Sequence, residues 1–327
     1  MKRRTDLNVI SGERAGLFGA AILWIMLFHS TLRLTWPPLH LIKATGYAGV
    51  DVFLFLSGIG LYYSMEKDPF PARFYRKRAR RVLLPYGVVA VLYEGGRCLL
   101  GRITPAECLS NITLVSYWTR GVPTYWFIAA IVALYAAYPL LYKLIQRKQY
   151  SLQALILALS FAAAWLLYQD QPAFYRVNGF VFRIPIFLLG CYIAPAVKRG
   201  AALPQIPTLT ACVITAAACW YLWIGCDPWF FRMYLFIPLS ISLTLFGSIL
   251  LSNISKNNPI QRILHFFGGM TLELYLVHEK LLSALTHLFP NHTIAANALA
   301  FLLAVALAKL LRNLCEKALP PRRKAPQ

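Results

Sequence analysis

Apolar residues in this chain come in blocks of roughly 18 or more, each closed by Pro, Gly or a cluster of charge. Strict period-two alternation is absent from the blocks, and their length suits helices that cross a ~30 Å hydrocarbon core. The boundaries predict ten helices with cores near 15–34, 46–64, 82–100, 123–145, 151–169, 180–197, 207–226, 230–251, 266–288 and 293–314. The connections are short and no internal repeat is visible. The pattern therefore predicts an all-α polytopic membrane helix bundle of about ten transmembrane helices. It is expected to form one domain over residues 1–327, with residues 316–327 a basic, disordered tail. The opening "MKRR" followed by an apolar run is expected to be a retained first span, because no small-residue cleavage site follows it.

Composition agrees with a lipid environment. Of the 327 residues 58% are hydrophobic and 14% charged, against about 45–50% and about 25% in soluble domains. The net charge of +21 raises the question of nucleic acid, and the placement of the charge answers it. With the N-terminus inside, 24 of the 33 Lys and Arg fall in loops and ends on one side. Membrane topology distributes basic residues in that way, so no nucleic-acid partner is expected and both termini are expected in the cytoplasm. Seven cysteines are scattered without a C-x-x-C pair or metal-ligand spacing, so no metal is expected.

Ionisable residues inside apolar blocks are costly and mark candidate function. They are His29, Asp51, Arg183, Glu273 and His278. Counted at 1.5 Å per residue, His29 lies about 21 Å and His278 about 18 Å from the cytoplasmic surface, with Asp51 about 8 Å below the outer one. All three thus share the outer half of the membrane, and Arg183 enters at a similar depth. Each can be a packing hydrogen bonder; together, two imidazoles beside a carboxylate can handle protons. A second cluster, "FYRKRARRVLLPY" at residues 74–86, is either a topology anchor or a polyphosphate dock. Arg78 and Arg81, three apart, share a helix face there. A third stretch, "GVDVFLFLSG" at residues 49–58, has glycines at both ends that permit close helix approach. Trp126 is an interfacial aromatic, and Pro139 can kink its helix.

Six stretches in order resemble the integral-membrane acyltransferase-3 family of O-acyltransferases that decorate cell-envelope saccharides. They are "FGAAILWIMLFHS", "GVDVFLFLSG", "RARRVLLPY", "YWFIAAIVALYAAYPLL", "RIPIFLLG" and "GGMTLELYLVH". The resemblance implies transfer of an acyl group, acetyl in the first instance, from cytoplasmic acyl-CoA (acetyl-CoA) to a hydroxyl of an envelope or lipid-linked saccharide. It implies a multi-pass protein of the plasma membrane, the bacterial inner membrane. His29 is implied as general base or transient acyl carrier, with His278 and Asp51 orienting it or stabilising the oxyanion. Arg78 and Arg81 are implied as acyl-CoA ligands, and Arg183, Glu273, Trp126 and Tyr275 as acceptor or supporting residues. One position departs from the family pattern. An arginine usually stands eleven residues before the first-helix histidine, where this chain has Phe18; the nearest arginine is Arg14, fifteen before, and either it joins Arg78 and Arg81 as an acyl-CoA ligand or that role is lost. A transporter or flippase using the same buried groups as a proton relay is the alternative reading.

Overall fold

The computed structural model describes residues 4–227 and 229–318, and these are almost entirely helical. Eight helical stretches among them are long and apolar enough to cross a membrane: Pro37–Lys67, Pro71–Leu99, Pro123–Gln146, Tyr150–Gln169, Gln171–Lys198, Gln205–Gly225, Trp229–Ser252 and Thr293–Ala318. The first apolar helix, Arg14–His29, has 16 residues and reaches about 24 Å. The expected helix near 266–288 is two helices, Pro259–Gly269 and Thr271–Leu288, because Met270 leaves helical dihedrals at φ −124°, ψ 32°. The molecule is an all-α polytopic bundle with one small exception. Arg4–Asp6 pairs antiparallel with Ala202–Pro204, Arg4 opposite Pro204 and Asp6 opposite Ala202. Most of the expected basic tail, from residue 319 on, lies outside the described residues.

Helix starts follow local chemistry. Proline occupies the first turn at Pro37, Pro71, Pro105, Pro185 and Pro259, where its missing N–H costs nothing. The Asp170 side chain accepts the Ala173 N–H at 3.2 Å, and that of Asn258 accepts the Ile260 N–H at 2.9 Å. The third expected helix begins at Pro71 instead of near residue 82, since Arg and Lys are good helix formers once proline sets the start. The whole basic run is therefore helical, which gives Arg78 and Arg81 fixed positions.

Glycine governs how the helices meet. A methyl group on Gly58 would stand 2.7 Å from the Cys191 nitrogen, and one on Gly190 would collide with the Phe55 carbonyl. Gly49–Lys67 and Ile184–Lys198 thus pack backbone to backbone, which carries Asp51 towards Arg183. Likewise, a methyl on Gly19 would strike the Leu264 carbonyl and one on Gly268 the Ala15 carbonyl. The helix ahead of Thr271 therefore lies directly on the first helix.

Candidate active site

His29 is the last residue of the first helix. Ser30 turns to extended dihedrals (φ −58°, ψ 146°), and the next residue is tied to the last helix. The Thr31 N–H donates to Asn297 Oδ1 at 3.1 Å, and Asn297 Nδ2 donates back to Thr31 Oγ1 at 2.7 Å. Those two bonds fix the chain directly after the histidine. His278 sits two turns into Thr271–Leu288, 4% exposed, and its ring centroid is 5.2 Å from that of His29 at 65°. The two histidines predicted at one depth therefore meet.

The hydrogen bonds of His278 assign its tautomer. Nδ1 faces the carbonyl oxygens of Leu274 and Tyr275 at 2.9 and 3.1 Å. Carbonyls only accept, so Nδ1 carries the proton and donates. Nε2 is then a bare lone pair, and it is buried without a partner among the described residues. A buried acceptor left open costs free energy unless something fills it. It opens beside His29.

Asp51 is joined to another of the intramembrane charges. It forms an ion pair with Arg183, Oδ1 to Nε 3.4 Å, both side chains almost fully buried. The Arg183 guanidinium also lies 4.0 Å from the centre of the Tyr47 ring and 5.6 Å from that of Trp126. From there aromatic rings run without a gap to the histidines. Trp126 meets Phe127 at 5.9 Å, Phe127 meets Tyr275 at 4.6 Å, and Tyr275 meets His278 at 5.8 Å. Arg183, Trp126 and Tyr275 thus form the wall that joins the ion pair to the imidazoles. Asp51 Oδ2 and Arg183 Nη2 have no hydrogen-bond partner among the described residues.

The predicted arginines gather at the other end of the first helix, about 22 Å from His29 along its axis. Arg14 lies against Gly60, where any side chain would displace its guanidinium. Arg14 feels the charge of Arg81, and Arg78 feels both. The Arg78 guanidinium stacks near the Phe74 and Tyr135 rings, at 5.4 and 5.9 Å, with its Nε buried and unpartnered among the described residues. Three cations held together strongly favour an anion. Glu273 borders this cluster, within the fields of Arg312 and Arg81. It belongs with the arginines and not with the histidines.

Two groups escaped the sequence reading. Glu279 follows His278 directly, and its carboxylate acts on His29. Glu94, fully buried, accepts from Arg97 Nη1 at 3.0 Å and from Asn111 Nδ2 at 2.9 Å. "LVHEK" already carried the first signal, a charge beside the histidine. Glu94 gave no such signal, lying near a helix end where charges are routine. Among the described residues no set of three or more His, Cys, Asp and Glu is placed to hold a metal ion.

The acyltransferase-3 family model, described as an acyltransferase domain, matches residues 19–312. No curated protein and no solved structure matches the chain.

Proposed function

The chain belongs to the acyltransferase-3 family and is a membrane acyltransferase, and from that premise we propose that it moves an acetyl group from cytoplasmic acetyl-CoA to a hydroxyl of an envelope saccharide. The arginine face is then cytoplasmic and the histidine face outward, as the basic-residue asymmetry argues. Arg78, Arg81 and Arg14 hold the phosphates of coenzyme A. Its pantetheine arm runs along the first helix and brings the thioester to His29.

As the acceptor binds at the outer end, His29 turns one N–H to the open Nε2 of His278, which leaves its second nitrogen with a lone pair directed at the acceptor. The acceptor hydroxyl gives its proton to that nitrogen while its oxygen attacks the thioester carbonyl. The tetrahedral intermediate collapses, the C–S bond breaks, and the thiolate takes the proton from His29. An ester and free CoA–SH result, and both histidines return to their starting state. Arg183, held by Asp51 and the Tyr47 and Trp126 rings, keeps the wall of the chamber rigid.

One observation carries this assignment: the open His278 Nε2 beside His29, at the opposite end of the helix from Arg14. Such a division suits a donor and an acceptor that live on opposite sides of a membrane. Family membership favours transfer over the transport alternative, which uses the same buried groups. The test is sidedness. In sealed inside-out vesicles, [14C]acetyl-CoA added outside should label saccharide trapped in the lumen. Label appearing only on saccharide added outside would contradict the transmembrane route.

A further inference from the structure

A pocket of about 300 Å³ opens against Phe28, the residue before His29, and its polar lining is basic: Arg33, Lys43 and the imidazole of His40. Its inner wall is Phe28, whose ring stands 5.0 Å from that of His29. One aromatic ring therefore separates the pocket from the base. The segment that builds it, residues 31–48, contains no Asp or Glu. Lys and Arg are depleted from short outward connections, so Arg33 and Lys43 in this one run against the topology that orders the rest of the chain.

The pocket is built, not a gap in a loose loop. Lys43 Nζ donates to the Leu32 carbonyl at 2.6 Å, which closes the segment on itself. Trp24 Nε1 donates to the Ile42 carbonyl at 2.6 Å, and Trp220 Nε1 donates to Thr45 Oγ1 at 3.1 Å. Arg33 has no ion pair or hydrogen bond among the described residues, and its side chain is exposed at the mouth. The short helix Pro37–Ala44 completes the site. Trp36, Leu39 and Ile42, three residues apart and 61%, 40% and 37% exposed, line its outer face. A tryptophan at its start and two exposed aliphatic side chains three residues apart are the composition of a helix that lies in a membrane interface. A helix seated there carries Arg33 and Lys43 at the depth of lipid phosphates.

We propose that this pocket binds a phosphate group on the acceptor, and that the acceptor is a phosphate-bearing, lipid-anchored saccharide. The phosphate held by Arg33 and His40 fixes the lipid end at the interface, and the adjoining sugar reaches past Phe28 to present its hydroxyl to His29. The volume suits a phosphate and one sugar ring. This inference rests on the acceptor side of the proposed function and names its substrate class.

The test is direct binding to the purified full chain in detergent, without any acyl donor, by isothermal titration with geranyl phosphate, geraniol and inorganic phosphate. Geranyl phosphate should bind, geraniol should not, and R33E and H40E should each weaken geranyl phosphate at least tenfold. Inorganic phosphate tenfold weaker than geranyl phosphate supports the lipid-anchored source. Equal affinity for the two overturns the lipid anchor. Geranyl phosphate binding no better than geraniol, or with unchanged affinity in both variants, overturns the site. H29A should bind geranyl phosphate as the wild type does. Binding that depends on Arg33 in a protein that transfers no acetyl group would defeat the proposed function and leave the phosphate site standing.

Discussion

Arg183 and Asp51 are the residues where burial forces the sharpest consequence. A paired ion in a dry interior is tolerated, but a single unpaired one is not, and removing one partner costs about 3–5 kcal/mol. R183M should therefore lower the thermal unfolding midpoint strongly in detergent, and D51N combined with R183Q should recover part of the loss. Equal destabilisation by the double and the single variants would show that the pair is not an energetic unit. Both residues were visible in the sequence as intramembrane charges. Their partnership was not, because depth along a helix says nothing about which face it presents. The same ambiguity was harmless for His29 and His278, whose helices do turn towards each other.

Glycine and capping residues decide the elements. Gly190 abuts the Phe55 carbonyl, so G190L must separate two helices packed backbone to backbone, at about 1–3 kcal/mol for overpacking. It should also reduce the yield of monodisperse protein in size-exclusion chromatography, whereas G87A, with open space around it, should not. Outside the spans, the helix Pro105–Ile112 opens with a capping box in which Thr104 and Glu107 bond reciprocally. The Thr104 backbone and side-chain bonds hold the Glu107 carboxylate below its ordinary value of 4.5. A depressed acid stabilises the fold above its unfolded pKa and loses that contribution as pH falls through the folded one. The amide protection factors of this helix, exchange rates corrected for their intrinsic pH dependence, should therefore fall on acidification from pH 5 to pH 3, and T104A should remove most of that dependence. The helix blocks themselves were legible in the apolar runs. The break at Met270 and the early start at Pro71 were not, since both depend on contacts and caps and not on hydropathy.

At the scale of the whole molecule, charge and titratable groups divide between the two ends of the first helix. Arg14, Arg78 and Arg81 crowd one end, and His29 with His278 occupies the other. The sequence already implied that separation through depth counting and the R-x-x-R spacing. It did not show that Arg14, fifteen residues before His29, lies within the fields of Arg78 and Arg81. Gly60, which makes room for that guanidinium, belongs to a different helix. R78E/R81E should raise the KM for acetyl-CoA at least tenfold while membrane insertion stays normal. Equal loss of insertion and activity would make the pair topology anchors only.

The central claim is that His29 takes the acceptor proton, and single-turnover transfer tests it most directly. Wild-type and H29A protein, purified and saturated with [14C]acetyl-CoA, are mixed with saccharide acceptor, and the labelled ester is counted against time. A general base contributes about 10²–10⁴-fold, so H29A should fall by at least 10² in rate with acetyl-CoA affinity unchanged. Transfer by H29A at the wild-type rate would contradict the account.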